Sequence, residues 1–276
     1  MRTDDMKLAS FVIAVDALLI CAAAAAGDLH PIVEVQSGYL FGAVSNGKWL
    51  KAEETAKAVQ ADTTYQIYSL TAKLGEATGS APKSADEPCP DTMEVTLSEK
   101  PEDGVIALAA PWNALPRKPR VMDTTQQLYV DAVRDFLKTK GIEQPKVKID
   151  NILRVDLDGG GEDEVLISAT NYFKKDDRVP MRSPAGSYSM VLLRRVVAGK
   201  VETQVVAGEF HPKAYVSKED SFDAPSIYKV IATLDLDGDG KLEVVVGSNY
   251  YEGEEITIYR CDPKKSEPLL SVSCGA

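Results

Sequence analysis

The sequence predicts a mainly β protein, with a mixed α+β N-terminal part and a C-terminal half built from four-stranded antiparallel units. Three observations predict this class: strand-like segments alternate with turn signals along most of the chain, a long stretch of the C-terminal half is duplicated, and a single segment has the pattern of a long amphipathic helix. The predicted parts are a signal peptide over residues 1–27, an N-terminal region over 28–144 and two repeats over 145–276.

The N-terminal region is predicted to be β-rich and to end in the helix. Asn46-Gly47 separates two strand-like segments, which is a strong short-range signal of a β-hairpin. Further along, Thr124 and Gln127 have the spacing of a capping box at a helix start, and Gly141 is suited to a helix end. We expect the domain boundary directly after this helix.

The composition limits the classes of partner. The chain has 276 residues, 44% of them hydrophobic, so it can bury one or two ordinary cores. Its formal net charge of −11 would repel nucleic-acid phosphates and anionic lipids, whereas divalent cations would be attracted. We therefore expect no nucleic-acid partner.

The first residues have the layout of a secretory signal peptide. Arg2 and Lys7 precede an apolar run from Leu8 to Ala26 that closes on five alanines. We expect a secreted, periplasmic or cell-surface protein, with no integral membrane span after the signal is removed. Two alternatives are a single membrane anchor, disfavoured by Asp16 within the run, and a lipoprotein attached at Cys21, whose preceding residue is not small.

Removal of the signal peptide would leave Cys89, Cys261 and Cys274. An odd number in an exported protein indicates one pair and one remaining thiol. Cys261 and Cys274 fall on neighbouring strands of one predicted hairpin, so we expect these two to form the disulfide. The alternative is that all three are buried, reduced cysteines.

The most specific feature is an internal repeat. The segment Asp156–Glu164 is echoed by Asp235–Glu243, at an offset of 79 residues between the two leading aspartates, and the apolar segments before and after each loop are also repeated. A shared period over several features is characteristic of repeat architecture. Each copy is therefore predicted to form a strand, an acidic loop and a second strand.

The residue types in the second loop suit a calcium ion. Calcium takes six to eight oxygen ligands, which a tight turn can supply as carboxylates at alternate positions and as a backbone carbonyl. The predicted ligands are the side chains of Asp235, Asp237, Asp239 and Glu243 and the carbonyl of Lys241. The alternative is a solvated acidic turn between strands that binds no metal.

The first loop is an incomplete version of the second. Asp156, Asp158 and Glu164 supply the side chains and Glu162 the carbonyl, but Gly160 stands at the position of the third aspartate. We expect a water ligand at that position, or weaker binding.

The pattern strand, D-x-D-G-D-G-x-x-E loop, strand resembles the FG-GAP (integrin α-type) repeat and bacterial secreted VCBS-like proteins. The resemblance covers Val147 to Cys274 and implies that each repeat is one four-stranded blade of a β-propeller-like array holding Ca²⁺. A closed propeller needs about four blades or more, and only two motif-bearing units are present, so a partial or small array is expected. An EF-hand fits less well, because Ile167 and Val246 stand at the position of its twelfth-residue glutamate.

Three functions follow as hypotheses. The first is an exported calcium-binding module that recognises an extracellular protein or glycan, with calcium in a structural role. The second is a secreted hydrolase that uses a carboxylate pair, and the third is a structural component of the cell envelope. The chain has only two histidines, His30 and His211, and lacks a Cys-x-x-Cys or His-Glu-x-x-His motif, which favours a binding module over an enzyme.

One further stretch is apolar and basic within this acidic chain. It contains Trp112, Leu115, Arg117, Lys118 and Arg120. We interpret it either as a partner surface or as a packed tryptophan with solvated neighbours.

Overall fold

A computed structural model describes residues 28–172, 179, 181–216 and 225–275. The predicted signal peptide and Cys21 lie outside the described residues.

The described residues form two helices, α1 (Ala52–Ala56) and α2 (Gln127–Thr139), and nineteen strands. The strands are β1 (Leu29–Glu34), β2 (Leu40–Ser45), β3 (Lys48–Lys51), β4 (Thr63–Tyr68), β5 (Lys73–Gly79), β6 (Lys83–Ser84), β7 (Met93–Glu94), β8 (Ile106–Leu108), β9 (Arg120–Met122), β10 (Ile149–Val155), β11 (Glu164–Thr170), β12 (Arg182–Ser183), β13 (Ser187–Val197), β14 (Lys200–His211), β15 (Tyr215–Val216), β16 (Ile227–Leu234), β17 (Glu243–Tyr250), β18 (Gly253–Cys261) and β19 (Ser266–Gly275). The predicted mainly β class is confirmed.

Three larger antiparallel sheets organise the described part of the chain. The N-terminal sheet has the order β3-β2-β1-β8-β4-β5, the sheet of the first repeat β14-β13-β11-β10-β9, and the sheet of the second repeat β16-β17-β18-β19. Each repeat thus contributes the predicted four antiparallel strands to its sheet, although β12 lies between β11 and β13 along the chain. Two-stranded ribbons form from β6 and β7 in the N-terminal region and from β12 and β15 in the first repeat.

The N-terminal hairpin forms as the sequence predicts. Strands β2 and β3 pair around Asn46-Gly47, with Ser45 opposite Lys48. Both turn residues have positive φ, 50° and 71°, which is the conformation of a two-residue turn that matches strand twist.

Helix α2 covers the predicted segment, but its start and its buried face differ from expectation. The N-cap is Gln126, which makes no side-chain capping bond. The capping box of Thr124 does not form; Asp123 instead accepts bonds from the backbone N–H and hydroxyl of Thr125. Helical spacing predicts one apolar face that contains Leu128, Tyr129, Ala132, Val133, Phe136 and Leu137. Leu128 is instead 68% exposed, and the buried residues are Tyr129, Val133 and Leu137.

Packing continues across the boundary that the sequence predicts after this helix. The stripe of α2 lies in one core with Ile152, Ile167 and Leu192 of the first-repeat sheet. Strand β9, which precedes the helix, pairs with β10, so that Val121 lies opposite Leu153. Strand β9 and helix α2 are therefore packed with the sheet of the first repeat.

Two shared cores hold the three sheets together. One combines Ile32 and Phe41 of the N-terminal sheet with Leu234 and Val245 of the second repeat. Another joins the two repeats, and its members include Leu153, Leu166, Val191, Val230, Val244 and Val246. These cores bring the ends of β10 and β16, and hence the two acidic loops, to one region of the molecule.

The predicted Cys261–Cys274 disulfide is wrong. Cys274 is bonded to Cys89, with a Cα–Cα distance of 5.7 Å, and Cys261 takes part in no disulfide among the described residues. The reason is hairpin register: Cys261 lies opposite Ser266 beside the turn, whereas Cys274 lies opposite Glu254 at the open end. Neighbouring strands do not by themselves put two cysteines within bonding distance.

Gly42 in β2 is required by close backbone packing. Its φ is +141°, and a Cβ built there would lie 2.0 Å from the carbonyl oxygen of Leu50. We expect Gly42→Ala to lower the free energy of unfolding by about 2 kcal/mol, measured by denaturant unfolding. Gly75→Ala is the matched control, because φ is +148° there but nothing lies within 4 Å of the Cβ position. Equal losses in both variants would contradict a role for the Leu50 contact.

Candidate metal centre

The two acidic loops occupy equivalent places in the two repeats. The first connects β10 to β11, where Val155 pairs with Glu164, and the second connects β16 to β17, where Leu234 pairs with Glu243. Each loop leaves a buried strand and returns antiparallel to it. The repeated strands therefore hold the ends of each loop at a fixed separation.

In the first loop, the carboxylate of Asp156 organises the turn. One of its oxygens accepts the backbone N–H of Gly159 at 2.7 Å and the other that of Gly161 at 3.0 Å. Both glycines have positive φ, 79° and 87°, a conformation that glycine adopts without steric penalty. The backbone consequently curls around the carboxylate.

The second loop repeats this wrapping. The two oxygens of Asp235 accept the N–H groups of Gly238 and Gly240 at 2.8 and 3.2 Å, and these glycines have φ of 75° and 84°. Asp239 accepts the N–H of Lys241 at 2.7 Å. The duplication seen in the sequence is thus a duplication of local geometry.

A buried glutamate closes each loop. Glu164 accepts the backbone N–H of Leu157 at 2.8 Å, and Glu243 accepts that of Leu236 at 3.0 Å. Glu243 is 1% exposed, so its carboxyl group is almost out of contact with water. A buried carboxylate with a single N–H donor needs a further positive partner when ionised.

Within the described residues, the predicted ligands gather into two clusters that could hold a metal ion. In the first, oxygens of Asp156, Asp158 and Glu164 lie within 4.8 Å of one another. The second has the same compactness and contains Asp235, Asp237 and Asp239.

The remaining predicted ligands lie around these clusters. Glu243 is not one of the three residues of the second cluster, and its buried carboxylate accepts the N–H of Leu236. Glu162 and Lys241 lie in the exposed bends of their loops, and ligation by their carbonyl oxygens stays a prediction. Gly160, at the position of the missing aspartate, donates its N–H to Asp158 at 2.8 Å.

Burial and mutual repulsion make the second cluster unfavourable for ionised carboxylates. Burial, and then the charge of Asp237, raise the pKa of Glu243 to about 9. Burial also raises the pKa of Asp235, to which the charges of Asp237 and Asp239 contribute. In the first loop, burial raises the pKa of Glu164 in the same direction. A cation among these oxygens would favour their ionised forms.

Asp237 has an internal counter-ion. Arg260 on β18 donates from Nη2 to its carboxylate at 2.7 Å, and only 5% of the Asp237 side chain is exposed. This guanidinium offsets part of the negative charge of the cluster. Its contribution was not apparent from the sequence, because Arg260 lies 23 residues from Asp237 and outside the repeated motif.

The segment Trp112–Arg117 packs against both loops, which decides how the apolar and basic stretch is used. The indole N–H of Trp112 donates to the carbonyl of Asp235 at 2.9 Å, and the backbone N–H of Asp235 donates to the carbonyl of Ala114 at 2.8 Å. The ring also covers Gly238, where a Cβ would lie 3.3 Å from it. Trp112 is therefore a packed residue that supports the second loop.

Each of the two histidines of the chain lies beside a carboxylate outside the acidic clusters. His30 bonds to the carbonyl of Ala109 and to Asp28, and its ring lies edge-on to Trp112 at 4.5 Å. His211 lies 3.2 Å from the carboxylate of Glu209. Neither contact involves the acidic clusters.

Among the described residues, neither helix is long and apolar enough to cross a membrane.

No protein-family model, no curated protein and no solved structure matches the chain. The resemblance to FG-GAP repeats therefore stays a prediction from the loop motif. Functional assignment depends on the geometry of the two duplicated loops.

Proposed function

We propose that this protein is an exported calcium-binding module that recognises an extracellular protein or glycan, and that each acidic loop binds one calcium ion. The observation that carries the proposal is the duplicated cluster: in both loops three carboxylates converge within 4.8 Å on a backbone wrapped by two positive-φ glycines. Such a concentration of negative charge is stable when a cation occupies it.

The ligand chemistry favours calcium among the common divalent ions. The side chains of both clusters present carboxylate oxygens, which hard cations prefer, and neither cluster includes the nitrogen or sulfur ligands that suit zinc or copper. Magnesium demands a near-ideal octahedron and retains several waters, whereas calcium accepts the irregular, higher coordination that a loop can offer. The second loop, with three clustered aspartates and Glu243 beside them, should be the tighter site.

Calcium is proposed to act as a structural ion. Each loop joins adjacent strands of one sheet, so an ion there would fix the strand ends and the packing of Trp112 against Asp235. Export is supported by the Cys89–Cys274 disulfide, because disulfides persist in oxidising compartments, and by the predicted signal peptide. Recognition of a protein or glycan is the function that the FG-GAP resemblance implies for such a scaffold.

The calcium proposal is tested by calorimetric titration and by thermal melting of the protein expressed from Asp28. We expect two binding events, and at a calcium concentration of 100 times Kd each site should add about 2.7 kcal/mol to the free energy of unfolding. Asp237→Ala should abolish the tighter event and Asp158→Ala the weaker one. Asp163→Ala is the control, because this loop residue is paired with Arg120 and Arg154 and lies outside the cluster.

A melting temperature that does not respond to about 10 mM calcium, well above the Kd range of extracellular calcium modules, would contradict the metal assignment. The recognition part of the proposal is tested separately with labelled protein on glycan and extracellular-protein arrays, with calcium and with chelator. We expect binding that chelation weakens. Absence of any bound glycan or protein on these arrays would contradict a binding module even if calcium binds.

A further inference from the structure

We infer that Arg117 is a positioning residue that couples the two loops, so that an ion bound in one loop raises the calcium affinity of the other. This inference rests on the proposed function, since it requires both loops to bind calcium. It concerns a residue outside the repeats and outside the predicted ligand set.

The guanidinium of Arg117 bridges the backbones of both loops. In the first loop, Nε donates to the carbonyl of Asp156 at 2.5 Å and Nη2 lies 3.4 Å from the carbonyl of Leu157. In the second loop, the same Nη2 donates to the carbonyl of Gly240 at 2.7 Å. A planar guanidinium holds several acceptors in a fixed geometry, which a lysine ammonium cannot do.

The bridged carbonyls belong to the parts of the loops that an ion would have to order. Asp156 is the first predicted ligand of its loop, and Gly240 lies between the predicted ligands Asp239 and Lys241. The loops also touch directly, because the backbone N–H of Leu242 donates to the carbonyl of Leu157 at 2.8 Å. When one loop becomes ordered, it fixes the position of the Arg117 guanidinium. Because this guanidinium also binds a carbonyl of the other loop, that loop becomes more ordered as well.

Shared ordering predicts positive coupling. The first ion orders its own loop and immobilises Arg117, so the second ion has less conformational freedom to remove. Electrostatics acts in the opposite direction, because two divalent ions and a guanidinium repel one another, and this repulsion is weakened by salt. The sign of the coupling at physiological ionic strength thus distinguishes a mechanical bridge from simple charge repulsion.

The experiment measures the calcium affinity of the second loop by calorimetry at about 0.15 M salt, with the first loop intact or disabled by Asp158→Ala. In the wild-type background we expect Asp158→Ala to weaken the second loop about five-fold, the lower end of typical coupling. In the Arg117→Lys background, where the charge remains and the bridge is lost, Asp158→Ala should leave that affinity unchanged. Lys118→Gln, which removes a charge from the adjacent exposed position, should retain the wild-type coupling.

Several outcomes are decisive. If Asp158→Ala does not change the affinity of the second loop, or strengthens it, the inference is overturned while the calcium proposal stands. Coupling that persists in both Arg117→Lys and Arg117→Gln would assign it to the Leu157–Leu242 contact and overturn the role of Arg117. A single binding event confined to the second loop also overturns it. If the wild-type protein binds calcium at neither loop, the proposed function itself is refuted.

Discussion

The calcium-free protein should lose stability on the order of 5 kcal/mol as the pH rises from about 5 to about 9, because Glu243 must ionise in a buried acidic cluster. The folded protein retains the Glu243 proton up to a pKa of about 9, whereas the ordinary value is 4.5. Between these values the unfolded state binds fewer protons than the folded state, so the free energy of unfolding falls as pH rises. Below this window the contribution of Glu243 is at its most favourable.

Denaturant unfolding in the presence of a chelator, at intervals across this pH range, measures the effect. Glu243→Gln should remove most of the slope and should stabilise the calcium-free protein at high pH, since the amide can still accept the N–H of Leu236. Glu267→Gln is the control, because Glu267 is exposed to solvent on the same sheet, and its pKa is lowered by Lys265. An unchanged slope in Glu243→Gln would contradict this assignment.

Calcium binding should have the opposite dependence on pH to the stability of the calcium-free protein. An ion ligated by the cluster requires ionised carboxylates, so the calcium affinity of the second loop should increase across the same pH window. A calcium affinity that is independent of pH between about 5 and 9 would contradict the coupling of ion binding to the ionisation of Glu243.

Loss of the Cys89–Cys274 disulfide should lower the free energy of unfolding by about 5 kcal/mol. The bond joins residues 185 apart, and the chain-entropy model assigns the largest stabilisation to the longest closed loops. It also fastens the segment after β6 to the last strand, β19. A second contact at this place is the hydroxyl of Thr92, which lies 3.4 Å from the carbonyl of Ser273.

Denaturant unfolding of Cys89→Ala, Cys274→Ala and the double variant measures this contribution. The two single variants and the double variant should lose nearly the same amount, because each breaks the same bond. Cys261→Ala should change stability much less, and the wild-type protein expressed from Asp28 should show one free thiol when denatured without reductant. Three free thiols, or equal losses for Cys261→Ala and Cys274→Ala, would contradict the pairing.

Local patterns account for the success of the sequence predictions. The four strands per repeat that the resemblance implies correspond in the first repeat to β10, β11, β13 and β14, and they form where expected because side-chain period and flanking glycines act within a few residues. The clustering of Asp156, Asp158 and Glu164 was predictable for the same reason: their spacing within one tight loop determines which carboxylates can converge.

Predictions that depended on long-range pairing were less successful. The local capping-box prediction at Thr124 also failed, because α2 starts at Gln127 with Gln126 as its N-cap, so Thr124 lies two residues before the cap position. The Cys261–Cys274 bond failed because register, set by a hairpin with a shift between Ile258 and Tyr259, separates the two residues.

By itself the sequence determined the mainly β class, the duplication and the oxygen-rich chemistry of the two loops, since all of these are encoded in short segments. Only the tertiary structure decided which distant groups meet those loops. Arg117 and Trp112 lie far from the motif along the chain and reach it because the shared cores pack the three sheets together, whereas Arg260 reaches it through the pairing of β18 with β17. Packing against distant residues depends on the burial of whole sheet faces, and no local pattern in the chain records it.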